Sequence, residues 1–200
     1  MGSDGARMMT IPRQLPNAIT IARIPLAVVF FVLLLMGGTH GSGDIVLRWV
    51  AGALFVFAIS TDWVDGYLAR RYDLISDFGK LWDPIADKLL TGAGFVGLAI
   101  LGEWPWWVVV VILIREWGIT VHRFAVASQH IVAAAWMGKW KTALQGVTLG
   151  WWLLPLHQFV GLDWWTGVGT VLMYATLVLT VASGIDYVVA QARGARAERS

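Results

Sequence analysis

An all-α membrane protein with six transmembrane helices is the fold class this sequence predicts, on three observations. The 200-residue chain is 58% hydrophobic and only 14% charged, where a soluble domain carries about 25% charged residues. Its apolar residues fall into six long runs, and roughly 20 apolar residues cross a bilayer as a helix. It holds 13 tryptophans, a residue that gathers where bilayer meets water. The same composition excludes several classes. A net charge of +2 is too small to imply nucleic-acid binding. The absence of cysteine removes disulfides, thiolate zinc sites and thiol catalysis.

The elements follow in order. The first crossing is predicted over about 17–37. Asn17 and Thr20 are helix-capping residues at its start, and GGTHGSG ends it. The second is predicted over about 45–70, the third over about 80–101 and the fourth over about 104–128. Pro84 suits the first turn of the third. The fifth is predicted over about 137–159 and the sixth over about 164–190. Residues 1–200 read as one domain without internal repeats, and the polar ends 1–10 and 192–200 are expected to be mobile. The opening MGSDGA lacks the Ser or Thr of a myristoylation site. The long first run after an amphipathic lead-in reads as a crossing, not a cleaved leader.

Orientation comes from Lys and Arg. Arg7, Arg13, Arg70, Arg71, Lys80, Lys139, Lys141, Arg193, Arg196 and Arg199 fall at the termini and in the second–third and fourth–fifth connections. The other connections hold almost none, with Arg48 the exception. The positive-inside rule therefore predicts a multi-pass plasma-membrane protein with both termini in the cytoplasm. A second pattern agrees. The second run is apolar until Asp62, and the third becomes apolar only after Lys88. The fourth meets Arg115 and Arg123 late, and the fifth becomes apolar only after Lys141. Four consecutive helices thus turn polar toward one side, which predicts a water-accessible polar cavity facing the cytoplasm.

Four aspartates stand on that side: Asp62, Asp65, Asp83 and Asp87. Ionised carboxylates near bilayer depth require neutralisation. Asp62 and Asp65 are three apart, and Asp83 and Asp87 four apart, so each pair shares a helix face. Two such faces opposed make a carboxylate box for hard divalent cations. Two such cations about 4 Å apart clamp an in-line displacement at phosphorus. Gly66 lets a ligand approach the backbone. Arg70, one turn on, is placed to reach a phosphate. Ser76 and Gly79 lie in the connection, placed to close over a nucleotide. The alternative is a set of interhelical salt bridges from Asp62 and Asp65 to Arg70, Arg71 and Lys88.

The window fits D-x2-D-G-x2-A-R-x8-G-x3-D-x3-D at Asp62, Asp65, Gly66, Ala69, Arg70, Gly79, Asp83 and Asp87. It resembles the signature of the CDP-alcohol phosphatidyltransferases. The resemblance implies a six-helix membrane fold, a homodimer, and two Mg²⁺ ions (or Mn²⁺) held by Asp62, Asp65, Asp83 and Asp87. It implies that Asp87 is also the base that deprotonates the acceptor hydroxyl. It assigns Asn17, Asp65, Gly66, Ala69, Arg70, Ser76 and Gly79 to CDP-diacylglycerol. Metal proximity keeps the carboxylates ionised, so Asp87 would act through position.

Four further segments, LPNAITIARIPL, WDPIADKLL, IREWGITVHR and WMGKWKTALQ, resemble the branch of that family that forms phosphatidylglycerophosphate from glycerol 3-phosphate. This implies an acceptor-phosphate site at Arg115, Arg123, Lys139 and Lys141, because a dianion near the metals needs cations from other helices. Arg115 and Arg123 are eight apart and share a helix face. The alternative for the two lysines is topology alone. The expected reaction is direct displacement, in which the glycerol 3-phosphate hydroxyl attacks the phosphorus bearing diacylglycerol and CMP leaves. Cardiolipin synthesis from phosphatidylglycerol and inositol-phosphate transfer are rival readings within the family. A divalent-cation transporter is the rival of a different class. It is opposed by the crowding of the carboxylates at one membrane end, without a broken midplane helix. His40, His122, His130, His157 and Asp186 are assigned no role. Trp151, Trp152, Trp164 and Trp165 read as interface anchors.

Overall fold

The structure is a computed structural model. It describes the backbone of residues 15–71, 77–126 and 136–197, and the side chains of residues 22–61, 84–125 and 137–193. Its described secondary structure is helical throughout. The helices are α1 (Leu15–Gly37), α2 (Ile45–Arg71), α3 (Asp77–Ile100), α4 (Trp106–Val126), α5 (Trp136–Leu153), α6 (His157–Val160) and α7 (Leu162–Ala197). A 3₁₀ turn at Thr39–Gly41 joins α1 to α2. Six of these are long and lie where the six apolar runs predict them.

Three boundaries differ from the expectation. The fifth helix ends at Leu153 rather than near 159. Pro155 is the reason: it has no N–H to donate, and it disfavours helical geometry at the residue before it. The third helix begins at Asp77, so Pro84 is an interior proline and not a first-turn one. Pro84 stands between Asp83 and Asp87, and an interior proline leaves the carbonyl four residues earlier, that of Lys80, without its helical donor. The last helix continues to Ala197, past the point where a polar tail was expected; residues 1–10 lie outside the described residues.

The bundle is held by a continuous apolar core. Helix α1 packs on α2 and α3, α5 on α2, α3 and α7, and α4 on α3 and α7. Phe30, Leu34, Phe55, Leu90, Phe95, Leu98, Ile112 and Leu149 are buried at its centre. Apolar side chains also face outward. On α7 Val171, Tyr174, Val178, Val181, Ile185 and Val188 recur at alternating spacings of three and four, which places them on one exposed stripe. By length and composition one described helical stretch, Leu162–Arg193, is long and apolar enough to cross a membrane, and Ala22–Gly37 and Ile45–Thr61 are shorter apolar stretches. The other helices interrupt their apolar runs with the charges described below.

The end of the bundle away from the aspartates is tied by Arg48, whose side chain is fully buried. Its Nη2 donates to Glu103 Oε2 at 2.7 Å and to the Trp152 carbonyl at 2.8 Å. Its Nε donates to the Leu153 carbonyl at 3.2 Å and Nη1 to that of Gly38 at 3.2 Å. Helix α5 thus has its last carbonyls satisfied by an arginine from α2, in place of the helical donors that Pro155 interrupts. Glu103 also accepts the His40 N–H at 2.9 Å, which holds His40 at φ +51°. Arg48 breaks the positive-inside pattern because it is a buried tie. Nearby, Trp152 Nε1 donates to the Gly169 carbonyl at 3.0 Å. A Cβ at position 169 would stand 2.7 Å from the Trp152 ring, so only glycine permits this approach.

Candidate active site

Asp62, Asp65, Gly66, Ala69 and Arg70 fall on the last turns of α2, and Gly79, Asp83 and Asp87 on the first half of α3. The two helix ends that carry them are joined by residues 72–76, so the four aspartates belong to one end of the bundle. Asn17 lies in the first turn of α1. Ser76 lies outside the described residues, as do the side chains of Asn17, Asp62, Asp65, Arg70 and Asp83. Asp87 is described: it is half-buried, and its carbonyl accepts the Thr91 hydroxyl at 3.0 Å. The spacing three and four apart on two successive helices is therefore retained in a helical backbone. A donor set of carboxylate oxygens alone is the chemistry that Mg²⁺ and Mn²⁺ take.

Directly after Asp87 the chain enters a second cluster. The carboxylate of Glu116 on α4 is buried, and three cations from three helices converge on it. Lys88 Nζ of α3 stands 3.6 Å from Oε2. Arg115 Nη1 stands 3.0 Å from Oε1. Lys141 of α5 donates to the same oxygen, and its ammonium is buried with it. Gln145 Nε2 adds a donor at 3.3 Å and also reaches Thr180 Oγ1 at 3.2 Å. Arg115 Nη2 donates to Ser183 Oγ on α7 at 2.9 Å. Gly184 makes room for that arginine, since a Cβ there would meet Arg115 Cγ at 3.2 Å. The cluster forms because each of α3, α4 and α5 turns polar at the same depth and faces the others.

Of the four cations predicted for the acceptor, the structure brings Arg115 and Lys141 together. Arg123 lies two turns beyond Arg115, exposed, with its guanidinium 5.3 Å from the centre of the Tyr187 ring. His122 Nδ1 is 3.0 Å from the Tyr187 hydroxyl. Lys139 is exposed. Sequence reasoning missed Glu116, and it treated Lys88 only as an alternative partner for the aspartates. The signal was available: a carboxylate deep in an apolar run is a functional candidate by default.

The chain is similar to known proteins over most of its length. A family model described as CDP-alcohol phosphatidyltransferase matches residues 13–182. A Mycobacterium tuberculosis protein named probable phosphatidylglycerophosphate synthase is 43% identical over 175 residues, covering 88% of this chain and 80% of that protein. The CDP-diacylglycerol–glycerol-3-phosphate 3-phosphatidyltransferase of Bacillus subtilis is 38% identical over 190 residues, covering 87% and 93%. That of Rickettsia prowazekii is 33% identical over 180 residues, covering 90% and 96%. With the match spanning both the aspartate-bearing helices and the cation cluster, the chain belongs to the CDP-alcohol phosphatidyltransferase family.

Proposed function

We propose that the protein is a multi-pass membrane enzyme that transfers the phosphatidyl group of CDP-diacylglycerol to glycerol 3-phosphate, releasing CMP. One observation carries the choice of acceptor: the buried Lys141 and the partly buried Lys88 and Arg115 gather on one carboxylate, and Lys88 directly follows Asp87. A phosphorylated alcohol bound there has its phosphate held by charge-assisted hydrogen bonds and its hydroxyl directed toward Asp87. The names of the relatives from three bacteria point to the same acceptor. The outward apolar stripe of α7 and the apolar stretches of α1 and α2 support a bilayer setting, in which the six long helices cross and the aspartate end faces the cytoplasm. A homodimer is part of the reading.

Asp62, Asp65, Asp83 and Asp87 would hold two Mg²⁺ ions. When bound, the ions supply positive charge to the pyrophosphate and to the departing CMP. Arg70, Gly66, Ala69, Ser76, Gly79 and Asn17 hold the cytidine diphosphate. Asp87 accepts the proton of the acceptor hydroxyl, whose oxygen forms the new bond to the phosphorus bearing diacylglycerol as the bond to CMP breaks. Purified protein given labelled CDP-diacylglycerol and a panel of acceptors tests this. Release of CMP with glycerol 3-phosphate is the expected result. Release only with phosphatidylglycerol would install cardiolipin synthesis instead. Cation flux into liposomes without CMP release would replace the enzyme with a transporter.

A further inference from the structure

We propose that Glu116 determines acceptor specificity by setting the charge of the cation cluster to that of a phosphate monoester. The inference rests on the acceptor reading above. Among the described residues, three cations, Lys88, Arg115 and Lys141, meet one carboxylate, so 3 − 1 leaves two positive charges. With Lys141 buried and Lys88 and Arg115 partly buried, an excess of positive charge is unfavourable unless an anion completes it. A phosphate monoester carries between about −1.5 and −2 at neutral pH, which matches the excess. A diester carries one negative charge and a polyol none, and either leaves part of the cluster's positive charge uncompensated.

A second observation points the same way. Arg115 Nε is buried without a hydrogen-bond partner, although both nitrogens beyond it are engaged. The fork is held in place by Glu116 and Ser183 with donor capacity to spare. Lys141 and Arg115 both address Oε1 of Glu116, so the carboxylate keeps the two cations side by side before an anion arrives. Pre-arranged donors lose less freedom on binding. Glu116 acts through these cations and is a positioning residue. Helix α7 contributes Ser183 and Thr180, neutral groups that orient without altering the sum.

The test compares two acceptors, glycerol 3-phosphate and its phosphate methyl ester, a monoanion of nearly the same shape. The quantity read is the ratio of their kcat/KM values; the steric effect of the methyl group is common to every variant and cancels between them. Lys141→Gln lowers the cluster charge to one, and the ratio should fall about tenfold or more, the effect of one charge-assisted contact. Adding Glu116→Gln to it restores two positive charges, and the ratio should return to within about threefold of the unmodified protein. Lys88→Gln, alone and with Glu116→Gln, repeats the test at the longest contact of the cluster. The KM for CDP-diacylglycerol reports that each variant is folded. A ratio that stays low in both double variants, or that does not fall in either single one, would overturn the proposal. If the unmodified protein does not use glycerol 3-phosphate at all, the acceptor reading fails first, and that is seen before any variant is made.

Discussion

Lys88 Nζ and Glu116 Oε2 lie 3.6 Å apart across α3 and α4, and Lys88 is the residue that follows Asp87. The last aspartate of the motif and the first cation of the Glu116 cluster are thus neighbours in the chain. Whatever helix rotation places Asp87 at the aspartate end also sets Lys88 relative to Glu116. The position of the proposed base and the position of the proposed phosphate site are therefore mechanically coupled through one turn of α3.

For the metals, activity should vanish with EDTA and return with Mg²⁺ or Mn²⁺. Asp62→Asn, Asp65→Asn and Asp83→Asn should each remove most activity, because each takes away a ligand charge. Full activity in any two of them would remove the two-metal assignment.

For the base, Asp87→Asn should abolish turnover while weakening CDP-diacylglycerol binding less than Asp83→Asn does. A general base contributes about 10²–10⁴-fold. A variant retaining roughly a tenth of the rate is too active for loss of a base at this position.

The cations should separate into two grades. Arg115→Ala and Lys141→Ala should raise the KM for glycerol 3-phosphate, lowering kcat/KM by one to two decades, about 1.5–3 kcal/mol for a charge-assisted contact. The KM for CDP-diacylglycerol should hardly move. Arg123→Ala and Lys139→Ala should have smaller effects, since exposed charges are screened. Equal acceptor kinetics in all four variants would dissolve the phosphate site.

Stability should depend on the far end of the bundle. Glu103→Gln or Arg48→Met leaves a fully buried charge without its partner, which costs about 3–5 kcal/mol. The double variant Arg48→Met/Glu103→Gln should lose less than the sum of the two single losses. Thermal unfolding in detergent reads this directly, and additive losses would show that the two side chains are not coupled.

Topology is testable because the chain has no cysteine. Ser42→Cys, in the exposed connection before α2, should react with an impermeant thiol reagent added outside intact cells. Arg193→Cys, exposed near the end of α7, should react only after the membrane is opened. Labelling of both from one side would mean an odd number of crossings.

The sequence alone determined the helices and the aspartate pairs. Both are local: an apolar run long enough to cross a bilayer forms a helix that satisfies its own backbone, and residues three or four apart share a face of it. Its failures at this level were also local, since Pro155 and the start of α3 were readable from neighbouring residues. Tertiary structure decided the partners. Nothing near Arg48 in the sequence announces Glu103 or the carbonyls of α5, so Arg48 read as an exception to a charge rule. Glu116 stood beside Arg115, yet its meeting with Lys88 and Lys141 depends on how α3, α4 and α5 are rotated against one another. Arg115 and Arg123 shared a helix face, yet packing against α7 engaged one with Ser183 in the interior and left the other exposed over Tyr187. Periodicity places a residue on a face. Which neighbour that face meets, and at what depth, follows only from the packing of the whole core.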